Sequence, residues 1–287
     1  LPAHGSLPTV SQLGMSDQDA ATYLAAASAA QGTVIVTGPT GSGKTTTLYA
    51  GLSQAMDGRR TNLTLEDPVE IELPAVTQIQ IDENIGMTFS RGLRAAVRQD
   101  PDVLLVGEIR DRETADLAMR AAMTGHLVLT TLHTNDAPAA FTRLLDIGVP
   151  PYVLAASVDL IIAQRLLHRV CGDCAEPDRI DEGTRRALGI PLELVGSLRS
   201  GRGCRSCGGT GTYGRIAAME VLTVTEDLRQ EIVSGMDLAK IRALARQKGW
   251  RPIRESATSM AVAGIVSVAT VLAATSKAGW TDSSDSG

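Results

Sequence analysis

Residues Gly38-Pro39-Thr40-Gly41-Ser42-Gly43-Lys44-Thr45 match G-x-x-x-x-G-K-[ST] in full. They stand between the apolar run Thr33-Val34-Ile35-Val36-Thr37 and the segment Thr46-Thr47-Leu48-Tyr49-Ala50-Gly51-Leu52. Strand, glycine-rich turn and helix start, in that order, are the setting a phosphate-binding loop requires, and they commit the neighbouring chain to alternating strands and helices. The glycines let consecutive backbone N–H groups turn toward one centre, and the opening helix adds the positive end of its dipole. Gly38 to Thr46 are therefore the candidate nucleotide contacts. Lys44 is expected to reach the β- and γ-phosphates and Thr45 to hold Mg²⁺. Lysine usage sharpens the reading: the chain has four lysines (Lys44, Lys240, Lys248, Lys277) against twenty-three arginines. The competing reading is a glycine-rich turn that binds nothing.

Three further apolar runs follow: Asn62-Leu63-Thr64-Leu65, Val103-Leu104-Leu105-Val106 and Leu127-Val128-Leu129-Thr130-Thr131-Leu132. Short, wholly apolar runs alternating with helical stretches predict an α/β fold with a mostly parallel sheet covered on both faces. In such sheets ligands gather at the carboxyl ends of the strands. Lys44, Glu66, Glu108 and His133 each follow one of the four runs, so they are expected to converge. Glu108 is placed to contact Mg²⁺ through water or to activate a nucleophile, and Glu66 offers a second carboxylate that could divide the work. Which takes which role is open, and either could simply cap the following helix. His126 and His133 flank the last run. His133 is the better placed to sense phosphate or polarise water, while His126 reads equally well as structural. Arg91, Arg94 and Arg98 have helical spacing along one face. They are either solvated surface or a source of transition-state charge across a subunit boundary.

The bulk properties narrow the partners. A net charge of −5, with two Phe, four Tyr and two Trp, argues against a nucleic-acid binder, which needs clustered cations and stacking aromatics. No run reaches the ~18 to 20 apolar residues of a membrane span. The nearest, Met260 to Ala274, is broken by Gly264, Ser267 and Thr270 and reads as buried helix. The start at Leu1, without Met or a charged leader, is expected to be the beginning of a piece of a longer cytoplasmic polypeptide.

Cys171-Gly-Asp-Cys174 and Cys204-Arg-Ser-Cys207 form two C-x₂-C pairs separated by twenty-nine residues, and they hold all the cysteine in the chain. Two such knuckles can close a tetrahedral four-thiolate site. Structural Zn²⁺ is the reading, with unmetallated thiols and an iron–sulfur centre as alternatives. Composition shifts near these motifs. The expected organisation is a P-loop ATPase domain over 1–168, a tetracysteine metal-binding subdomain over 169–214, a helical subdomain over 215–278 and a disordered tail over 279–287. Helices are expected at 18–30, 46–56, 185–194, 226–234, 237–247 and 252–263.

Taken together, the chain from about Leu13 to Thr275 resembles the secretion and pilus-assembly ATPases. The resemblance rests on the phosphate loop, on Glu66-Asp67-Pro68-Val69-Glu70, and on Phe89-Ser90-Arg91-Gly92-Leu93-Arg94-Ala95-Ala96-Val97-Arg98-Gln99-Asp100-Pro101-Asp102. It extends through Val106-Gly107-Glu108-Ile109-Arg110-Asp111, Thr124-Gly125-His126 and Thr130-Thr131-Leu132-His133-Thr134-Asn135. It implies a RecA-like P-loop core that binds ATP with Mg²⁺ and assembles as a homo-hexamer. The ring would work at the cytoplasmic face of the inner membrane, through an adaptor and a platform protein. It implies Glu108 as the Walker B acid, Glu66 in an acidic box, and His126 and His133 in a histidine box. The paired C-x₂-C motifs resemble the secretion and extension branch. A conjugation-type nucleic-acid translocase or a non-catalytic ATP-gated scaffold would share the same phosphate loop. Two departures stand out. The family's preceding domain, a source of further arginines, is missing here, and Val266-Ser267-Val268-Ala269-Thr270-Val271 replaces a stretch that is usually acidic.

Overall fold

The computed structural model describes residues 7–276; the tail expected at 279–287 lies outside the described residues. Helix α1 (Asp17–Ala27) opens under Ser16, whose hydroxyl accepts from the Asp19 N–H at 3.1 Å, as a short oxygen-bearing side chain does at a helix N-terminus. Strand β1 (Gly32–Thr37) then leads through the glycine-rich loop into α2 (Lys44–Ala55). The other strands are β2 (Asn62–Glu66), β3 (Thr77–Gln80), β4 (Val103–Val106), β5 (Leu127–Leu132), β6 (Val158–Val170), β7 (Ala175–Pro177), β8 (Arg199–Gly201) and β9 (Thr212–Thr223). Between and after them lie α3 (Phe89–Ala96), α4 (Arg112–Met123), α5 (Ala137–Ile147), α6 (Pro151–Ser157), α7 (Glu182–Ala187), α8 (Glu226–Ser234), α9 (Leu238–Gln247), α10 (Ile253–Val262) and α11 (Val268–Thr275).

Seven strands form one sheet in the order β3-β2-β4-β5-β1-β6-β9. The pairings of β1 with β5 and β6, of β2 with β3 and β4, and of β4 with β5 are all parallel. The four apolar runs become β1, β2, β4 and β5, and every residue in them is buried, as strands covered on both faces must be. Register aligns their ends: Thr37 pairs with Leu132, and Val106 pairs with both Leu65 and Thr130. The residues that follow these strands therefore emerge at one edge. Residues 215–223, expected within a helical block, are strand, and the boundaries expected at 168 and 214 fall inside β6 and β9.

The chain divides into two compact units. One gathers the described residues up to 40 with 44–163 and 221–250; the other gathers 41–43, 164–220 and the described residues from 251 on. The first has a core of Ile35, Leu104, Met119, Val128 and Phe141, all essentially without exposure. The second is centred on Leu167, Ile190, Ala218, Ala257 and Val266. Met260 to Ala274, read as buried helix broken at Gly264, Ser267 and Thr270, belongs to two helices: α10 closes before Gly264, whose φ of +72° suits the bend, and α11 starts under the Ser267 hydroxyl. The helix expected at 185–194 stops early as α7, and Pro191 opens a short 3₁₀ segment over Leu192–Ser197.

Candidate functional site

The loop between β1 and α2 is shaped by glycine. Gly38, Gly41 and Gly43 have φ of +147°, +75° and +88°, a region that side chains with a Cβ rarely adopt. Lys44, the first residue of α2, folds its ammonium back to donate to the Gly38 and Pro39 carbonyls at 3.0 and 3.1 Å. Burial lowers the pKa of this amine, and the negative charge of Glu108 works against that lowering. Ser42 is buried, and its hydroxyl has no hydrogen-bond partner among the described residues. Its carbonyl accepts from the Gln164 side-chain amide at 2.5 Å. Glycine-turned backbone, a partly buried ammonium and an unpaired buried hydroxyl at a helix start are the chemistry that suits a phosphate chain.

Glu108 is placed by Gly107. The Gly107 N–H donates to the Leu65 carbonyl at 2.8 Å, and its own carbonyl accepts from the Thr131 hydroxyl at 2.7 Å. A Cβ at 107 would lie only 3.1 Å from that same Leu65 oxygen. The Glu108 side chain is 16% exposed, with Oε1 2.5 Å from Arg110 Nη2 and Oε2 3.6 Å from His133 Nε2. The His133 imidazole and then Arg110 hold its carboxyl down at about 2, against burial that pushes it up. Glu108 and His133 thus meet as expected. Arg110, which the sequence alone does not single out, completes the group.

Glu66 has a different environment. It ends β2 at 3% exposure, and Oε1 accepts from the Thr64 hydroxyl at 2.5 Å and from the Gln78 amide at 3.0 Å. Oε2 accepts from the Tyr49 hydroxyl, whose pKa is raised by burial and then by Glu66 itself. Both oxygens are taken by neutral donors, so Glu66 is the closed carboxylate of the two and Glu108 the open one. Tyr49 and Gln78 belong to no motif, and only the buried polar position within an apolar helix face could have singled out Tyr49.

The other predicted residues lie apart. His126 precedes β5 and bonds the Ala121 carbonyl through Nδ1 at 3.0 Å, so the length of the six-residue strand, roughly 20 Å, separates it from His133. Arg91 donates to the Gly86 carbonyl at 3.1 Å, and Arg94 pairs with Glu113. Both guanidinium groups on α3 are therefore engaged within their own unit.

The four cysteines do come together. Their sulfurs all lie within 4.8 Å of one another, at 3.9 Å for Cys171 to Cys204, 3.9 Å for Cys174 to Cys207 and 3.7 Å for Cys204 to Cys207. A tetrahedron of ~2.3 Å zinc–sulfur bonds has edges of ~3.8 Å. Backbone N–H groups point at the sulfurs: Cys204 and Gly211 donate to Cys207 at 3.1 and 3.2 Å, and Gly203 donates to Cys174 at 3.3 Å. The two to Cys207 bring its thiol down to about 6, whereas burial pushes Cys174 up to about 12. Four sulfurs this close cannot all be thiolates unless a cation stands among them. The donor set fits Zn²⁺.

Residues 2–273 match the family described as Type II/IV secretion system protein. The chain belongs to that family. It is 43% identical over 271 residues to the type IV pilus assembly ATPase PilB of Thermus thermophilus, covering 94% of this chain and 30% of that protein. It is 43% identical over 263 residues to the type II secretion system protein E of Pseudomonas aeruginosa, covering 92% and 52%. The chain thus spans about a third to a half of the length of these relatives. Among solved structures, the pilus retraction motor PilT, crystallised with bound ADP, superposes with a TM-score of 0.72 at 28% identity, covering 96% of this chain and 69% of that one. The ATPase DotB of Legionella pneumophila superposes at 0.67 and 26% identity, covering 93% and 64%. This family chain therefore has the α/β fold of those motors.

Proposed function

We propose that this chain is the ATP-hydrolysing part of a cytoplasmic motor that powers type II protein secretion or type IV pilus assembly. The observation that carries the reading is Glu108, an open, charged carboxylate at the strand ends whose field reaches the Lys44 ammonium in a chain of the secretion family. Gly38, Pro39, Thr40, Gly41, Ser42, Gly43 and Thr46 line the phosphate loop, and Lys44 meets the β- and γ-phosphates. The Thr45 hydroxyl and Glu108 would hold Mg²⁺, which there would offset the charge of the phosphates. Glu108 orients the attacking water, held in place by Arg110 and His133, while Glu66 anchors the acidic box. In a homo-hexamer Arg91 and Arg94 would exchange the Gly86 carbonyl and the Glu113 carboxylate for the nucleotide of a neighbouring subunit. The ring works at the cytoplasmic face of the inner membrane through an adaptor and a platform protein, and the cysteine cluster holds Zn²⁺ for structure. Steady-state ATP turnover tests the reading. Turnover is expected in the wild type, lost in Lys44→Ala and indifferent to single-stranded DNA; stimulation by DNA would instead indicate a nucleic-acid translocase.

A further inference from the structure

Strand β6 outlasts β1. The last pair between them is Thr37 with Ala163, so the next residue of β6, Gln164, lies past the point where β1 gives way to the phosphate loop. Gln164 is 1% exposed, next to the buried Arg165 in a strand whose other buried side chains include Ile161, Ile162 and Leu167. A buried amide in apolar surroundings is costly unless it is hydrogen-bonded. Here its Nε2 donates to the Ser42 carbonyl at 2.5 Å. The same nitrogen would stand 3.2 Å from a Cβ at Gly43.

The peptide between Ser42 and Gly43 is a rigid plane in which C=O and N–H point in opposite directions. Fixing the Ser42 carbonyl on Gln164 therefore fixes the Gly43 N–H pointing the other way. In a phosphate loop that N–H is one of the donors the bound anion needs, and a peptide free to flip would present a carbonyl oxygen to the phosphate in its place. We infer that Gln164 is a positioning residue for nucleotide binding: by holding the Ser42 carbonyl it presets the Ser42-Gly43 peptide with its N–H available to phosphate. The inference rests on the nucleotide reading above. Gln164 acts through the loop and touches no reacting atom, so its contribution falls on affinity and leaves the chemical step alone.

The test measures ADP and ATP affinity with a fluorescent nucleotide, together with kcat and KM, in the intact protein and in Gln164→Met and Gln164→Glu. Methionine keeps the length and bulk and removes the donor. Glutamate keeps the shape and sets an acceptor against the carbonyl. With a buried carbonyl left unpaired, affinity is expected to fall about tenfold in Gln164→Met and further in Gln164→Glu. KM should rise in step while kcat stays within about twofold. Unchanged affinity in Gln164→Met overturns the inference, and so does a loss that comes with matching falls in kcat and unfolding temperature, which would assign Gln164 to general stability. Failure of the wild type itself to bind nucleotide would count against the nucleotide reading, a result distinct from either of these.

Discussion

Arg110 Nη2 lies 2.5 Å from Glu108 Oε1, so the open carboxylate at the strand ends is charge-paired within its own chain. Glu66, by contrast, is held by Tyr49, Thr64 and Gln78 and has no cation among those partners. A carboxylate that organises water needs a free oxygen edge as well as its charge, and only Glu108 keeps one partly exposed. Glu108→Gln is expected to retain nucleotide affinity and to lose turnover by about a hundredfold or more, the range for removing a positioned acid or base. Glu66→Gln should cost less turnover and more stability. Single-turnover hydrolysis beside unfolding curves for both variants checks the order; a larger turnover loss in Glu66→Gln would reverse the roles.

The same pairing sets a pH dependence of stability. The Glu108 carboxyl is lowered from 4.5 to about 2, first by His133 and then by Arg110, so the folded state favours the ionised form. Its contribution is complete above pH 4.5 and fades as pH falls toward 2, because the unfolded chain takes up the proton first. The stability advantage of the wild type over Glu108→Gln is therefore expected to be constant near neutrality and to shrink through that acid window. Thermal unfolding of the two proteins over a pH series measures it; a gap that widens on acidification would show that the carboxyl is not held low.

Two buried tyrosines allow the Glu66 cage to be weighed. Tyr23 donates to the neutral Thr47 carbonyl at 2.8 Å, and Tyr49 donates to the Glu66 carboxylate. Phenylalanine keeps either ring and removes only the hydroxyl. Hydrogen bonds to neutral groups contribute about 1 kcal/mol and those to charged groups about 1.5 to 3, so Tyr49→Phe is expected to destabilise by about 2 kcal/mol and Tyr23→Phe by about half of that. Denaturant unfolding of both variants decides. Equal losses would mean that the Tyr49 bond to Glu66 contributes no more than one to a neutral carbonyl.

These carboxylates illustrate what the sequence discloses. Strands β1, β2, β4 and β5 were legible because burial on both faces leaves short runs dominated by Val, Leu, Ile and Thr, and parallel register then gathers Lys44, Glu66, Glu108 and His133 without any knowledge of contacts. Strand β3 is Thr-Gln-Ile-Gln at the sheet edge and half exposed, so it carries no such run. Strand β6 includes Gln164 and Arg165, polar residues that break its pattern although both are buried. The same cause hides the supporting site residues. Tyr49, Gln78, Arg110 and Gln164 act through partners distant in sequence, and no spacing rule links Gln164 to Ser42. His126 and His133 look alike in sequence because they bracket one strand, yet a parallel strand sends its two ends to opposite edges of the sheet.

The cysteine cluster yields the last prediction. Three of its six sulfur separations, at 3.7 to 3.9 Å, match the edges of a zinc tetrahedron, ~3.8 Å, the others lie within 4.8 Å, and four sulfur ligands leave no position for water or substrate. The metal should therefore support structure and take no part in hydrolysis. Close backbone approaches surround it: a Cβ on Gly201 would fall 1.9 Å from the Gly211 carbonyl oxygen, and one on Gly203 would fall 2.6 Å from that of Gly209. Those knuckles enclose little apolar material beyond the cysteines themselves, so metal binding takes the place of a core and its free energy appears as local folding free energy. One Zn²⁺ per chain is expected by elemental analysis, and Cys204→Ser is expected to release it and to open residues 171–211 to protease. Nucleotide affinity in that variant should stay within about twofold of wild type, as for sites that share no partners. Metal-free protein with a protease-resistant Cys204→Ser variant would show that the four sulfurs pack together without a metal.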